Sequence, residues 1–218
     1  MIKAVLFDLD GTLLNTLDDL GDSTNYALGL YGLPSHSIEE YKYFVGNGMR
    51  KLIERAVPQG SSPQTVDKVF DAFMEYYGKH YADKTAPYDG AVKMLNDVKS
   101  KGKIIAVITN KADSSAQQVV ADYFGKDLFN LVFGQREGIP TKPDPTLTLM
   151  AMKELGVTPQ ECIFVGDSGM DVATGVNSGA YPVGVLWGFR KADELMENGA
   201  KRLISAPSEL LGIIEELD

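Results

Sequence analysis

Short apolar runs that do not alternate with polar residues constrain this chain more than any other feature. They fall at Lys3–Phe7, Ile104–Ile108, Leu131–Phe133, Cys162–Val165, Pro182–Val185 and Arg202–Ile204. A strand with one face in water alternates polar and apolar residues, whereas a strand covered on both faces is apolar throughout. Burial on both faces is the condition of a parallel sheet with helices above and below it, and helix-length amphipathic stretches separate most of these runs. The pattern predicts an α/β fold built on a doubly wound, Rossmann-like parallel sheet.

One interval breaks the rhythm. Between the first and second runs lie roughly 95 residues, far more than the dozen or so that a crossover needs. A chain of 218 residues also exceeds the usual single-domain size of about 100–150, so an inserted second domain is expected. Segments around Leu17–Tyr31, Ile38–Ala56 and Thr65–Tyr81 carry helical spacing of apolar residues, with breakers at Gly32-Leu33-Pro34 and from Pro58 to Pro63. The expected division is an α/β core domain of residues 1–15 and 84–218 and an inserted helical domain of residues 16–83. Crossing segments near Asn15–Leu17 and Lys84–Tyr88 join them.

Composition narrows the classes of function. Lys and Arg total 21 against 30 Asp and Glu, a net charge of -9, which repels nucleic-acid phosphates and anionic lipid headgroups. No apolar run approaches the roughly 20 residues that span a bilayer. The single Cys162 has no internal disulfide partner, and the N-terminus meets acidic residues before a signal-peptide core could form. A reducing cytoplasm is the expected location, and nothing in the sequence points to an obligate protein partner.

The chemistry gathers where the strands end. Strand one runs into Asp8-Leu9-Asp10-Gly11-Thr12, the second into Thr109-Asn110-Lys111, and the fourth into Gly166-Asp167-Ser168-Gly169-Met170-Asp171. Each alone is compatible with a turn or helix cap. Together they bring hydroxyl, amine and carboxylate groups to the edge where open α/β sheets bind ligands. Lys142, ahead of Pro143, adds a cation.

With Asp8, Asp167 and Asp171 ionised, Asp10 protonated and a phosphate dianion bound, Lys142 alone would face a large negative excess. Two unit charges 4 Å apart interact by about 4 kcal/mol at an effective dielectric near 20, so a divalent cation is required. An all-oxygen donor set without His or Cys favours magnesium, Mg2+, over zinc. His36 and His80 lie in the insertion without a paired ligand pattern, and Cys162 opens an apolar strand.

Asp8-Leu9-Asp10-Gly11-Thr12-Leu13, Thr109, Lys142 and Gly166-Asp167-Ser168 through Asp171 resemble the four ordered motifs of the haloacid dehalogenase superfamily of phosphatases, across nearly the whole chain. The insertion after the first motif resembles that superfamily's helical cap. The resemblance implies that Asp8 is the nucleophile, forming an aspartyl-phosphate, and that Asp10 is the general acid and base. It implies that Asp8, Asp167 and the Asp10 carbonyl bind magnesium, with Asp171 and Ser168 positioning its waters. Thr109 and Lys142 would hold the phosphoryl oxygens, assisted by backbone N–H groups of Leu9 and Asn110. Members that displace halide lack the second aspartate of the first motif, so Asp10 speaks against a dehalogenase.

In the cap, Gly46-Asn47-Gly48-Met49-Arg50 resembles the substrate loop of phosphoglycolate phosphatases, implying substrate contacts from Asn47, Gly48 and Arg50. The substrate expected is a small phosphorylated metabolite, phosphoglycolate first. Sugar-phosphate mutases of the group carry His where this chain has Leu20. Inorganic pyrophosphatases share a segment resembling Val185-Leu186-Trp187-Gly188 and stay open as an alternative. A phospho-acceptor switch domain also orders an acidic pair, a Thr and a Lys, but is smaller and lacks the fourth motif and the insertion.

Overall fold

A computed structural model describes residues 1–218. The chain forms two compact units, Met1–Leu14 with Pro87–Asp218, and Asn15–Ala86. In chain order the strands are β1 (Ala4–Phe7), β2 (Leu14–Asn15), β3 (Ala86–Pro87), β4 (Ile104–Ala112), β5 (Leu131–Gln135), β6 (Cys162–Gly166), β7 (Tyr181–Val185) and β8 (Arg202–Ile204). The helices are α1 (Leu17–Leu30), α2 (Ile38–Phe44), α3 (Met49–Ala56), α4 (Pro63–His80), α5 (Ala91–Ser100), α6 (Asp113–Phe124), α7 (Thr146–Leu155), α8 (Gly169–Ser178), α9 (Ala192–Glu197) and α10 (Leu210–Leu217).

The first unit holds a six-stranded sheet in the order β5-β4-β1-β6-β7-β8, with every pairing parallel. Counting only its own strands, the order is 3-2-1-4-5-6, that of a doubly wound sheet. The expected α/β architecture is therefore observed. All four residues of β1 and all five of β6 are buried, which is why their sequences show no alternation. On one face Leu6, Ile108, Phe133 and Phe164 pack with Leu147, Ala151 and Met152 of α7.

The order reverses at β1. It lies between β4 and β6, with Phe7 opposite both Val107 and Val165, and the connections from its two neighbours leave in opposite directions. A crevice opens at such a point, beyond the carboxyl ends of the strands. The Asp8 N–H continues the ladder to the Val165 carbonyl at 2.9 Å, so residues following β1 and β6 emerge side by side.

β4 extends to Ala112, four residues past the apolar run, with a register irregularity between Ile108 and Ala112. The polar Thr109, Asn110 and Lys111 interrupt the hydrophobic pattern without ending the strand. The remaining two-residue strands, β2 and β3, pair with each other.

The second unit is helical. Its α1 packs against α2 and α4, and α3 against α4. Leu28, Tyr41, Ile53, Val69 and Phe73 fill its interior. The helical pattern over 38–56 proves to be two helices, because Gly46 and Gly48 take φ of 110° and 84°, values that an α-helix cannot include.

Asp19, buried in the first turn of α1, closes this unit at its ends. Its carboxylate accepts the Lys84 N–H at 2.9 Å, the Thr85 N–H at 2.8 Å and the Thr85 hydroxyl at 2.7 Å. Replacing Asp19 by Ala strands those donors. Since a hydrogen bond to a charged group contributes about 1.5–3 kcal/mol, Asp19→Ala is expected to lower stability by at least about that much, with Asp19→Asn recovering part. Urea unfolding of the variants measures it.

Candidate active site

Asp8 leaves β1, Asp167 leaves β6, and Asp171 sits one turn into α8, which Ser168 caps by accepting the Asp171 N–H. Ligand oxygens of these three buried carboxylates lie within 4.8 Å of one another. Lys142 holds the group together. Its buried ammonium donates to Asp8 Oδ1 at 2.7 Å, Asp171 Oδ1 at 2.6 Å and the Ile108 carbonyl at 3.0 Å, which uses all three of its N–H bonds. Asp8 Oδ2 takes no hydrogen bond from the chain.

Each carboxylate is fixed by its own partners. Asp167 accepts from the Thr12 hydroxyl at 3.2 Å and the Phe189 N–H at 2.8 Å. Asp171 Oδ2 accepts from the N–H and hydroxyl of Ser168. The main chain also wraps Asp167 closely: a Cβ at Gly188 would collide with its Cβ and with the Gly11 carbonyl, and one at Gly11 would collide with its carboxylate. Gly11 also holds φ at 89°, a conformation costly to other residues.

Burial and crowding decide the protonation of this group. Desolvation, then the charge of Asp171, push the Asp8 carboxyl up to about 7 despite the nearby Lys142. Asp167 is raised well above the carboxylate range by the same burial and by the charges of Asp171 and Asp8. For Lys142, burial alone would favour the neutral amine, but the Asp171 and Asp8 charges reverse this and keep it protonated.

The donor set fits a hard divalent cation: three converging carboxylates, no nitrogen or sulfur, and proton affinities that only a positive charge would bring down.

Asp10 stands apart from the trio. Both of its oxygens accept from Lys111 Nζ at 3.0 Å, and that lysine side chain is 2% exposed. Sequence reasoning set Lys111 among the polar residues of this edge but gave it no partner and counted Lys142 as the sole cation. Nothing in a parallel-strand pattern shows which way a residue beyond the apolar run will turn.

Thr109 is buried, with its hydroxyl oxygen accepting the Lys111 N–H at 3.2 Å, so its proton can still be given to a ligand. The Asn110 side chain grips the Lys142 main chain, accepting its N–H at 2.9 Å and donating to its carbonyl at 3.4 Å. Asn110 thus places the lysine, a role its sequence context did not reveal. Thr12 and Gly188 were legible only as motif neighbours.

The residues expected to meet substrate from the insertion lie within the helical unit. Arg50, at the start of α3, pairs with Asp67 at 2.6 Å and Glu54 at 3.6 Å, over the Phe70 ring. Asn47 accepts from Arg55 at 2.6 Å, and Gly48 caps α3. His36 bonds the Ala56 carbonyl at 2.7 Å, and His80 pairs with Asp83. The Cys162 thiol, pushed up to about 12 by burial, is unreactive near neutrality.

The haloacid dehalogenase-like hydrolase family matches residues 5–185. The chain is 32% identical to a phosphoglycolate phosphatase of Haemophilus influenzae, over 97% of this chain and 98% of that one. It is 28% identical to an N-acetylmuramic acid 6-phosphate phosphatase of Pseudomonas aeruginosa, over 98% and 95% of the two chains. Among solved structures it is similar to a protein of Lactobacillus delbrueckii subsp. bulgaricus, with a TM-score of 0.91 and 30% identity over 97% and 98% of the two chains. A protein of Haemophilus somnus described as a predicted phosphoglycolate phosphatase gives 0.90 and 27%, over 98% of each.

Because the folded state raises the Asp8 and Asp167 proton affinities above those of the unfolded chain, it binds more protons there, and stability falls as pH rises. Without divalent cation, the melting temperature is expected to decline between about pH 4 and pH 7. A metal that needs the carboxylates ionised should restore it more at pH 8 than at pH 5. Calorimetry with and without magnesium at the two pH values checks both signs; equal effects at both would remove the trio as the metal site.

Proposed function

The chain belongs to the haloacid dehalogenase-like hydrolase family, and on that premise we propose that it is a magnesium-dependent phosphatase of small phosphomonoesters, phosphoglycolate foremost. The observation that carries this reading is Asp8: a buried carboxylate held on one oxygen by Lys142, with its other oxygen unengaged, beside two further acidic groups. The activities of the relatives support a phosphate ester as substrate.

Asp8, Asp167 and Asp171, with the Asp10 carbonyl, would hold magnesium, which supplies positive charge against the dianionic phosphoryl group. Asp8 Oδ2 attacks phosphorus in line with the ester oxygen, and as that P–O bond breaks Asp10 gives its proton to the leaving oxygen. Asp10, now a carboxylate, takes a proton from water, whose oxygen attacks the aspartyl-phosphate, releasing phosphate and restoring Asp8. The Thr109 hydroxyl and the N–H groups of Leu9 and Asn110 meet the phosphoryl oxygens. Lys142 orients Asp8 and turns one N–H to the phosphoryl group by exchanging an acceptor. In the helical unit, Asn47, Gly48 and Arg50 form the substrate loop, Arg50 by opening its pair with Asp67.

Asp8→Asn should remove turnover by about 10⁴-fold or more, as losing a nucleophile does, with an unchanged melting profile in chelator at low pH. Near-normal, metal-dependent turnover of a generic aryl phosphate by that variant would overturn the assignment. Arg50→Ala should lower kcat/KM for phosphoglycolate more than for the aryl ester, and equal losses would take Arg50 out of the substrate loop. A panel of phosphorylated metabolites with and without magnesium, phosphoglycolate, N-acetylmuramic acid 6-phosphate and pyrophosphate among them, ranks the substrates.

A further inference from the structure

The place of Asp171 depends on the path of the chain between it and Asp167. Its Oδ2 takes the N–H and hydroxyl of Ser168, and its Oδ1 takes Lys142. The carboxylate therefore stands where Ser168 and the first turn of α8 put it. Gly169 opens that turn. The first N–H groups of a helix have no acceptor within it, and the Gly169 N–H is taken by Glu194 Oε1 of α9 at 3.0 Å. An anionic acceptor at that end is also favoured by the helix dipole.

The seating of α9 secures this contact. Leu195 lies in a small buried cluster with Val172 of α8 and Ala200, and a Cβ at Gly169 would collide with the Asn198 side-chain amide. Arg190, its side chain 10% exposed, pairs through Nε with Glu194 Oε2 at 3.4 Å and steadies the carboxylate through its second oxygen. The loop that leads into α9 also supplies the Phe189 N–H to Asp167 at 2.8 Å. One segment thus supports both acids: Phe189 by direct contact, Glu194 through the main chain at Gly169. We propose that Glu194 is a positioning residue of the cation site, holding the start of α8 so that Asp171 keeps its place beside Asp167 and Asp8. This rests on the reading that those three acids hold magnesium.

The test is magnesium binding by calorimetry, without substrate, well below the melting temperature of the chelated protein. Losing a group that orients a metal ligand typically weakens affinity by about 10–100-fold. Glu194→Ala, at a side chain 40% exposed and so without opening a core cavity, should raise the magnesium Kd by about 10-fold. Two further variants separate reach from charge. Glu194→Gln keeps an acceptor at the same distance and should stay within about 3-fold of the unaltered protein. Glu194→Asp keeps the charge but falls one methylene short of Gly169, and should behave as Glu194→Ala does. In turnover, the magnesium concentration for half-maximal rate should rise in step with Kd, while the KM for substrate at saturating magnesium stays put.

An unmoved Kd in Glu194→Ala and Glu194→Asp overturns the proposal, as does a Kd in Glu194→Gln raised as far as in Glu194→Asp. Should Glu194→Ala not fold, the order of Glu194→Gln and Glu194→Asp decides it alone. Absence of magnesium binding by the unaltered protein would instead remove the cation site itself, a result distinguishable from unaltered binding that the variants fail to weaken.

Discussion

Three carboxylates buried within reach of one another set the terms for the rest of the sheet edge. Like charges in a poorly hydrated site repel strongly, and each pays desolvation as well. Their presence together is tolerable only because a lysine is interposed, because backbone and hydroxyl donors hold individual oxygens, and because protons or a cation can neutralise what remains. Asp8 and Asp167 rise toward neutrality for that reason. The same frustration is what a divalent cation could relieve, so the cost of crowding the acids and an affinity for such a cation would share one origin.

The scaffold exists to impose that crowding. Asp8, Lys142, Asp167 and Asp171 come from distant parts of the chain, and only neighbouring parallel strands around β1 bring their ends together. Rigid placement continues outward from there: Asn110 grips the backbone of Lys142, Thr12 and Phe189 hold Asp167, and Gly11 and Gly188 let the main chain close over it. These supporting groups touch carboxylates or lysine, and none of them bonds the Asp8 carboxylate.

Much of this was written in the residues. Unbroken apolar runs marked β1, β4 and β6 because burial on both faces removes alternation, and the long interval after β1 marked the insertion. The carboxylates were visible because they follow those runs directly. Less visible was anything decided by the direction of a side chain. Lys111 looked like one more polar residue at a strand end, and it lies where β4 shifts register, a feature that carries no hydrophobic signature. Asn110 likewise offered a backbone group on paper and a side-chain clamp in space. The break between α2 and α3 was masked by helical spacing continuing on both sides of two glycines whose dihedrals forbid a helix.

The Asp19 carboxylate, which joins the first turn of α1 to residues 84 and 85, means that the helical unit begins and finishes at almost one point. To the sheet, such a unit is a single long loop whose ends are already sewn together, whatever its contents. Helices within it can therefore be rewritten by mutation, lengthened or exchanged while the strands that carry the acids keep their register.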